Sequence, residues 1–276
     1  MGRIKLKIEP NYKEKLAAFP YQKNAKDEIC DLEYAAIFHE QGLGKTKIAI
    51  DLILYWFEKK IIDTVFIVVK KSLLKNWEKE LSFHTYLHPK ILSQNKHSNY
   101  YVFNSPAKVI LCNYEVIKSE IERIDLFNKT RPVGIILDES VKLKNPKSSL
   151  TKSFFKIAPT FARRVIMTGT PIANRPYDLW SQIWFLDQGK SLGDIFSKFK
   201  KNLDLSNSLY DDEDKKNNFE IKLKNIFNLI SSFSVRETKT SGIIVLPKKE
   251  YKRIITHWEP HQQEIYNKIK MEVKYY

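Results

Sequence analysis

Cysteine is nearly absent. Cys30 and Cys112 are the only two, and neither has a C-x-x-C partner. A disulfide framework and a cysteine zinc site are thereby excluded, and a reducing, intracellular setting fits. The six histidines form no H-E-x-x-H pair, which removes that class of metalloprotease. No apolar run reaches the length of a membrane span, and the opening Met1-Gly2-Arg3-Ile4-Lys5-Leu6-Lys7 lacks the apolar core of a signal peptide. Acidic residues are in deficit, 32 against 47 basic ones, for a net charge of +15. Such an excess favours a polyanionic partner, nucleic acid first, although a lysine-rich solvated surface produces the same number. Internal repeats and low-complexity tracts are also missing. What remains is a chain of 276 residues, 43% hydrophobic, able to fold around one large core or two modest ones.

The most informative stretch is His39-Glu40-Gln41-Gly42-Leu43-Gly44-Lys45-Thr46. A short apolar run, Tyr34 to Phe38, precedes it. Ile48, Leu52, Tyr55 and Trp56 follow at helical spacing. Strand, glycine-bearing loop and helix in that order are the parts of a P-loop, in which backbone N–H groups at a helix N-terminus hold phosphate oxygens. Lys45 would reach the β/γ-phosphates and the Thr46 hydroxyl would ligate Mg²⁺. The pattern G-x-x-x-x-G-K-[ST] is incomplete, because His39 stands where the first Gly belongs. A glycine turn ahead of a lysine-started helix is the plainer reading of this stretch taken alone.

Four more short apolar runs lie downstream: Thr64–Val69, Lys108–Cys112, Val133–Leu137 and Arg164–Thr168. Each leads into polar residues and a helical pattern, with Ser72 placed to cap the helix carrying Leu73, Leu74, Trp77 and Leu81. A further helix is predicted over Gln22–Leu32. Residues 84–107 read as a polar connection with one edge strand. Alternating strands and helices predict an α/β fold with a mostly parallel central sheet flanked by helices, and ligands at the carboxyl ends of its strands. Beyond Trp184, residues 187–232 read as a helical insertion. Phe219, Leu223, Ile226, Phe227 and Ile230 there are apolar at helical spacing, and Asp211-Asp212-Glu213-Asp214-Lys215-Lys216 forms a solvated hinge. The tail contains Pro247, Pro260 and a short last helix.

The polar clusters sit where a site is expected. Asp138-Glu139 ends the strand Ile135-Ile136-Leu137. Asp138 is placed to hold the Mg²⁺ shell opposite a P-loop, and Glu139 to orient and activate water; an exposed acidic turn is the plain alternative. Thr168-Gly169-Thr170 ends the last strand and offers hydroxyls that could link two ligands, or simply make a turn. Gln22, beside Tyr21, has the donors and acceptor to pair with an adenine edge. Ser72, Trp77, Asn113, Tyr114 and Lys144 lie at strand ends and suit phosphate-backbone contacts, with core packing favoured for Trp77.

As an ordered set, these motifs resemble one family, the first RecA-like lobe of superfamily-two helicases and translocases of the Swi/Snf type. Phe19-Pro20-Tyr21-Gln22 is similar to its adenine-reading Q element, and Glu40-Gln41-Gly42-Leu43-Gly44-Lys45-Thr46 to its motif I, which also lacks the first Gly. Val68 to Trp77 resembles motif Ia, with Lys70 in place of a usual Pro. Asn113-Tyr114-Glu115 resembles motif Ib, Asp138 to Asn145 motif II, and Met167 to Asn174 motif III, with Leu179-Trp180 in the helix after it. Arg236-Glu237-Thr238-Lys239, Leu246-Pro247-Lys248-Lys249, Gln263 and Tyr266 are similar to the segment leading towards the second lobe.

The resemblance implies a RecA-like P-loop lobe over residues 19–235, an N-terminal extension (1–18) and a connecting segment (236–276) towards a second lobe. It implies a DNA-dependent ATPase using ATP and Mg²⁺. Tyr21, Gln22 and the loop Gln41, Gly42, Leu43, Gly44, Lys45 and Thr46 would bind nucleotide. Lys45, Asp138 and Glu139 would be catalytic, with Thr46 and Asp138 on Mg²⁺. Ser72, Tyr114, Lys144, Thr168, Gly169 and Thr170 would contact DNA or relay to it. The implied partners are duplex DNA and a second RecA-like lobe in cis or trans. A chain ending before that lobe implies a fragment or half of a split protein, and hydrolysis that needs the missing half. The small size and the lysine- and asparagine-rich composition point to a bacterial or virus-infected cytoplasm rather than a nucleus. One departure bears on mechanism. The fourth residue of motif II, usually His or Asp and involved in coupling to motif III, is Val141, which cannot hydrogen-bond. The rival readings are an ATP- and DNA-binding module without hydrolysis, or an unrelated P-loop kinase or GTPase; for the latter pair, no arginine-rich lid or N-K-x-D element is visible.

Overall fold

The computed structural model describes residues 6–172, 175–203, 213–242, 250 and 252–273. Seven strands, β1 (Tyr34–Ile37), β2 (Thr64–Val69), β3 (Pro89–Ile91), β4 (Val109–Asn113), β5 (Val133–Asp138), β6 (Arg163–Met167) and β7 (Ser234–Val235), form one sheet in the order β3-β4-β2-β5-β6-β1-β7. Every pairing in it is parallel. Parallel neighbours need crossovers, and those crossovers cover both faces with helices, so the inner strands read as unbroken apolar runs. β2, β4 and β5 are buried along their whole length.

The pleat divides the core in two. Val65, Ile67 and Val69 point to one face, with Ile48, Leu52 and Trp56 of α2 (Lys45–Glu58) and Trp77 and Leu81 of α3 (Leu74–His84). Phe66 and Val68 point to the other. There they meet Ile124 of α6 (Ile121–Lys129), Phe154 of α7 (Ser149–Ile157) and Ile183 of α8 (Asp178–Asp187). Alternate residues of one strand thus anchor opposite layers.

The five predicted strands hold to within a residue or two of their expected ends. The helix expected over Gln22–Leu32 is α1, Pro20–Ile29, with Pro20 in its first turn. Residues 84–107 contain the expected edge strand β3, and also α4 (Lys96–Phe103), which was not expected. Its N-cap Asn95 accepts from the backbone N–H groups of His97 and Ser98. Ser72 does not cap α3. A 3₁₀ turn, Lys71–Leu73, precedes that helix and takes Ser72 inside it. β7 was also unexpected; its two residues pair with Ala36 and Ile37 along the outer edge of β1.

In the region of the predicted insertion, α9 spans Phe196–Leu203 and α10 Glu213–Ile230. Asp211 and Asp212 lie outside the described residues, while the rest of that charge run opens α10 instead of forming a hinge. Ile226 and Ile230 are buried. Pro247 also lies outside the described residues.

The chain divides into two compact units, residues 1–243 and 244–276. Within the first, residues preceding the predicted lobe are docked on it: Glu9 pairs with Lys108 at 2.9 Å, Tyr12 stacks on Phe57 at 5.2 Å, and Glu14 pairs with Lys47 at 2.9 Å. The second unit contains α11 (Pro260–Val273), against which Trp258 sets its ring edge-on to Tyr266 at 4.6 Å.

Candidate functional site

The carboxyl ends of β1, β6 and β5 lie side by side, with Ile37 opposite Met167 and Met167 opposite Asp138. Three loops therefore leave the sheet together: the glycine loop after β1, Thr168-Gly169-Thr170 after β6, and Asp138-Glu139 at the end of β5. The glycine loop and the acidic pair, with Met167 at the end of β6, border a cleft of about 760 Å³ lined by Tyr21, Gln22, Gln41, Gly42, Gly44, Lys45, Thr46, Asp138 and Glu139, among others.

Gly42 and Gly44 have φ of +86° and +70°, where a side chain is strained. Gly44 caps α2, and a Cβ added there would stand 2.0 Å from Gln22 Nε2. The Gln22 amide fills that space. Its Oε1 accepts from the Phe19 N–H at 3.0 Å and its Nε2 donates to the Tyr21 hydroxyl at 3.3 Å. Lys45 Nζ donates to the carbonyls of His39 (3.0 Å) and Glu40 (3.4 Å). Burial holds its pKa below the usual lysine range, against the opposing pull of Glu139, Asp138 and Glu40. Leu43 is buried and can offer a ligand only its backbone. Lys47 also lines the cleft, but its ammonium is taken up by Asp51 at 2.5 Å and by Glu14, whereas Lys45 bonds the loop's own carbonyls.

Asp138 is buried, 7% exposed, and Trp77 Nε1 donates to its Oδ2 at 2.8 Å. Burial raises its pKa and the Glu139 charge adds to that; the Trp77 hydrogen bond and Lys45 act in the opposite direction. Glu139 takes a left-handed backbone, φ +54° and ψ +51°, which is costly for a non-glycine residue. Hydroxyl and carboxylate oxygens from Thr46, Asp138 and Glu139 line the same cleft, and such hard oxygen donors suit Mg²⁺. Gly169 makes the close approach between loops. A Cβ on it would lie 3.0 Å from Gln41 Cγ and 3.3 Å from Lys45 Nζ.

The expected nucleic-acid residues are not all on one surface. Exposed Ser72 lies in a second groove of about 640 Å³, with Lys70, Lys71, Asn113 and Lys142 at the ends of β2, β4 and β5. Lys144 is half-buried, and its carbonyl accepts from the Ser181 hydroxyl at 3.3 Å. Thr170 is exposed, but Thr168 is fully buried, with its Oγ1 accepting from the Thr170 N–H at 3.2 Å. Tyr114 borders the Ser72 groove, but not with its side chain. Its side chain is fully buried and its hydroxyl donates to the Asp138 carbonyl at 2.7 Å, so it braces the acidic loop from below and has no face for a phosphate.

Comparison with known proteins follows the same lines. The model of the SNF2-related domain matches residues 25–275. The chain belongs to the SNF2-related domain family. It is 29% identical over 239 residues to an uncharacterized ATP-dependent helicase of Mycoplasma genitalium, covering 84% of this chain and 21% of that protein. It is 30% identical over 220 residues to the ISWI chromatin-remodeling complex ATPase ISW1 of Saccharomyces cerevisiae, covering 76% of this chain and 18% of that protein. The Sulfolobus solfataricus SWI2/SNF2 ATPase core in complex with dsDNA superposes with a TM-score of 0.68 at 25% identity, covering 86% of this chain and 47% of that one. A second structure, of the SWI2/SNF2 ATPase core domain from the same organism, superposes at 0.67 and 27% identity, over 97% and 52%. The sheet is thus the RecA-like fold of the SWI2/SNF2 ATPase core, and the chain spans about a fifth of those two curated relatives, an extent that fits one lobe.

In this SNF2-related domain several residues near the cleft were not legible beforehand. Trp77 carries no polar pattern in the sequence and reads as core; it is both core and hydrogen-bond donor to Asp138. Glu237 and Lys239 are far away in sequence, yet β7 lays them along the glycine loop. Glu40 N–H donates to the Glu237 carbonyl at 2.9 Å, and Lys239 N–H to Glu40 Oε2 at 2.8 Å. His39 is fully buried beside Tyr21, and burial lowers its pKa. No sequence signal marks these contacts, because each depends on strand order. Among the described residues no helix is long and apolar enough to cross a membrane, and no group of three His, Cys, Asp or Glu is placed to hold a metal.

Proposed function

We propose that this chain is the ATP-binding lobe of a DNA-dependent ATPase, a translocase on duplex DNA that hydrolyses ATP only with a second RecA-like lobe. The observation that carries the reading is the convergence of Lys45, Thr46, Asp138, Glu139 and Gln22 on one cleft at the ends of β1 and β5. Gln22 pairs with adenine, the backbone N–H groups of Gly42 to Thr46 cradle phosphate, and Lys45 supplies charge to the terminal phosphates. Thr46 and Asp138 would hold Mg²⁺, which would neutralise charge developing on the phosphates. Glu139 orients the attacking water and takes its proton.

Residues 19–235 make up this lobe and residues 236–276 lead towards the second. Ser72 and Lys144 contact the DNA backbone; Thr168, Gly169 and Thr170 relay between the sites. The net charge of +15 supports phosphate binding, and so does the likeness to a Sulfolobus ATPase core in complex with dsDNA. Need for the second lobe rests on phosphoryl-transfer chemistry, in which an arginine supplied across the cleft contributes roughly 10³–10⁵ in rate.

The alternative is a module that binds ATP and DNA without turnover, and Val141 in the motif II loop favours it. ATP turnover of the two-lobed protein, with and without duplex DNA, separates the readings. Lys45→Ala should abolish ATP binding and turnover while leaving salt-sensitive DNA binding in place. Unchanged turnover in that variant would remove the loop from the mechanism, and no turnover in the parent protein would favour the module.

A further inference from the structure

Val141 leaves the motif II loop without the side chain that could hydrogen-bond towards the loop after β6, yet the two loops are joined elsewhere. Ser140 and Gln182 are both fully buried. Ser140 Oγ donates to Gln182 Oε1 at 2.7 Å. Gln182 Nε2 donates to the Pro171 carbonyl at 2.9 Å and to the Asp178 carbonyl at 3.1 Å. Two carbonyl partners accept only, so the amide orientation is fixed and the Ser140 hydroxyl must be the donor. Next to it, Ser181 of the same helix donates to the Lys144 carbonyl at 3.3 Å. Helix α8 therefore grips the segment after Glu139 at two points and the segment after Thr170 at a third.

We infer that Gln182 and Ser140 form the link between the acidic loop and the Thr168-Gly169-Thr170 loop in this chain. They are positioning residues: neither lines the cleft. Glu139 sits in a strained backbone conformation directly before Ser140, so a displacement of Pro171 is passed through one amide to the residue next to the water-activating carboxylate. The amide uses both protons and an acceptor lone pair in a dry layer, so a shift on one side leaves a buried polar group unpartnered on the other. That cost makes the two loops move together.

The inference rests on the DNA-coupled ATPase reading, and the experiment keeps the two apart. In the intact two-lobed protein, the double variant Ser140→Ala with Gln182→Leu removes both ends of the Ser140–Gln182 bond, so neither is left unpartnered, while the Pro171 carbonyl loses its side-chain donor. Thermal unfolding checks that it folds. The ratio of DNA-stimulated to unstimulated ATPase should fall at least about fivefold, the lower end of allosteric coupling, with the unstimulated rate and the KM for ATP held within about twofold. Ser140→Thr, which keeps the hydroxyl, should restore most of the ratio when Gln182 is present. A double variant with wild-type stimulation overturns the inference, and so does one in which stimulated and unstimulated rates fall in parallel. If the parent protein shows no DNA stimulation, the ATPase reading itself fails.

Discussion

Replacing Trp77 by Phe isolates one hydrogen bond at the centre of the site. The ring stays in the α3 layer, but the Nε1–H···Oδ2 bond to Asp138, 2.8 Å long, is lost. A hydrogen bond to a charged group contributes about 1.5–3 kcal/mol, one to a neutral partner about 0.5–1.5. Trp77 N–H favours the ionised carboxylate, so its loss raises the Asp138 pKa beyond the lift that burial already gives it.

The charged hydrogen bond stabilises the fold only while Asp138 is ionised. The variant's deficit is therefore largest above the folded pKa and shrinks as pH falls through it, down to the neutral hydrogen bond plus the packing loss. Near pH 8 the deficit corresponds to a Tm lower by roughly 3–12 °C for a domain of this size. Thermal unfolding of parent and Trp77→Phe from pH 8 down to pH 4 measures it on the chain alone. A Tm difference that stays constant over that range would refute the claim that this bond supports the charge, and leave Trp77 as a packing residue only. In the two-lobed protein, the acid limb of the ATPase profile should move to higher pH.

Three other outcomes test the geometry. Gly44→Ala adds a Cβ 2.0 Å from Gln22 Nε2 in a left-handed position, and should weaken ATP binding at least tenfold in a fluorescence titration; Gly42→Ala, whose Cβ meets only the end of Lys239 at 3.7 Å, should cost less. Equal losses would mean that the Gln22 contact is unimportant. Arg164→Met removes donors from the carbonyls of Leu186, Phe161 and Ala158 in the core, and should lower unfolding free energy in urea by at least about 3 kcal/mol with the slope unchanged. Glu139→Gln should leave ATP affinity within about threefold in a nucleotide titration and remove turnover in the two-lobed protein, since the amide no longer accepts a proton; turnover at the parent rate would show that another base acts.

Local order was written into the chain at short range. Thr64–Val69 and Val133–Leu137 read as buried strands, because short, β-branched apolar runs between turn signals fit a strand covered on both faces. Gly42, Gly44, Lys45 and Thr46 mark a candidate phosphate loop because backbone torsion, helix start and ammonium lie within five residues of one another. Asp138-Glu139 at a strand end was visible for the same reason. Sequence alone therefore determined the fold class, the family and the candidate chemistry of the cleft.

Tertiary structure decided everything that depends on which strand lies beside which. The order β5-β6-β1-β7 brings Asp138 to Lys45, inserts Gly169 between them and lays Glu237 and Lys239 along the glycine loop. It turned Tyr114 from an expected DNA contact into a buried support for Asp138, since the hydroxyl of a side chain under the sheet's rim must find a carbonyl rather than a phosphate. It also supplied Trp77 and Gln182, whose partners lie 61 and 42 residues away in the chain. A hydrogen bond across such a separation leaves no periodicity or spacing to read; only the packing of helices on a shared sheet brings its two ends within about 3 Å.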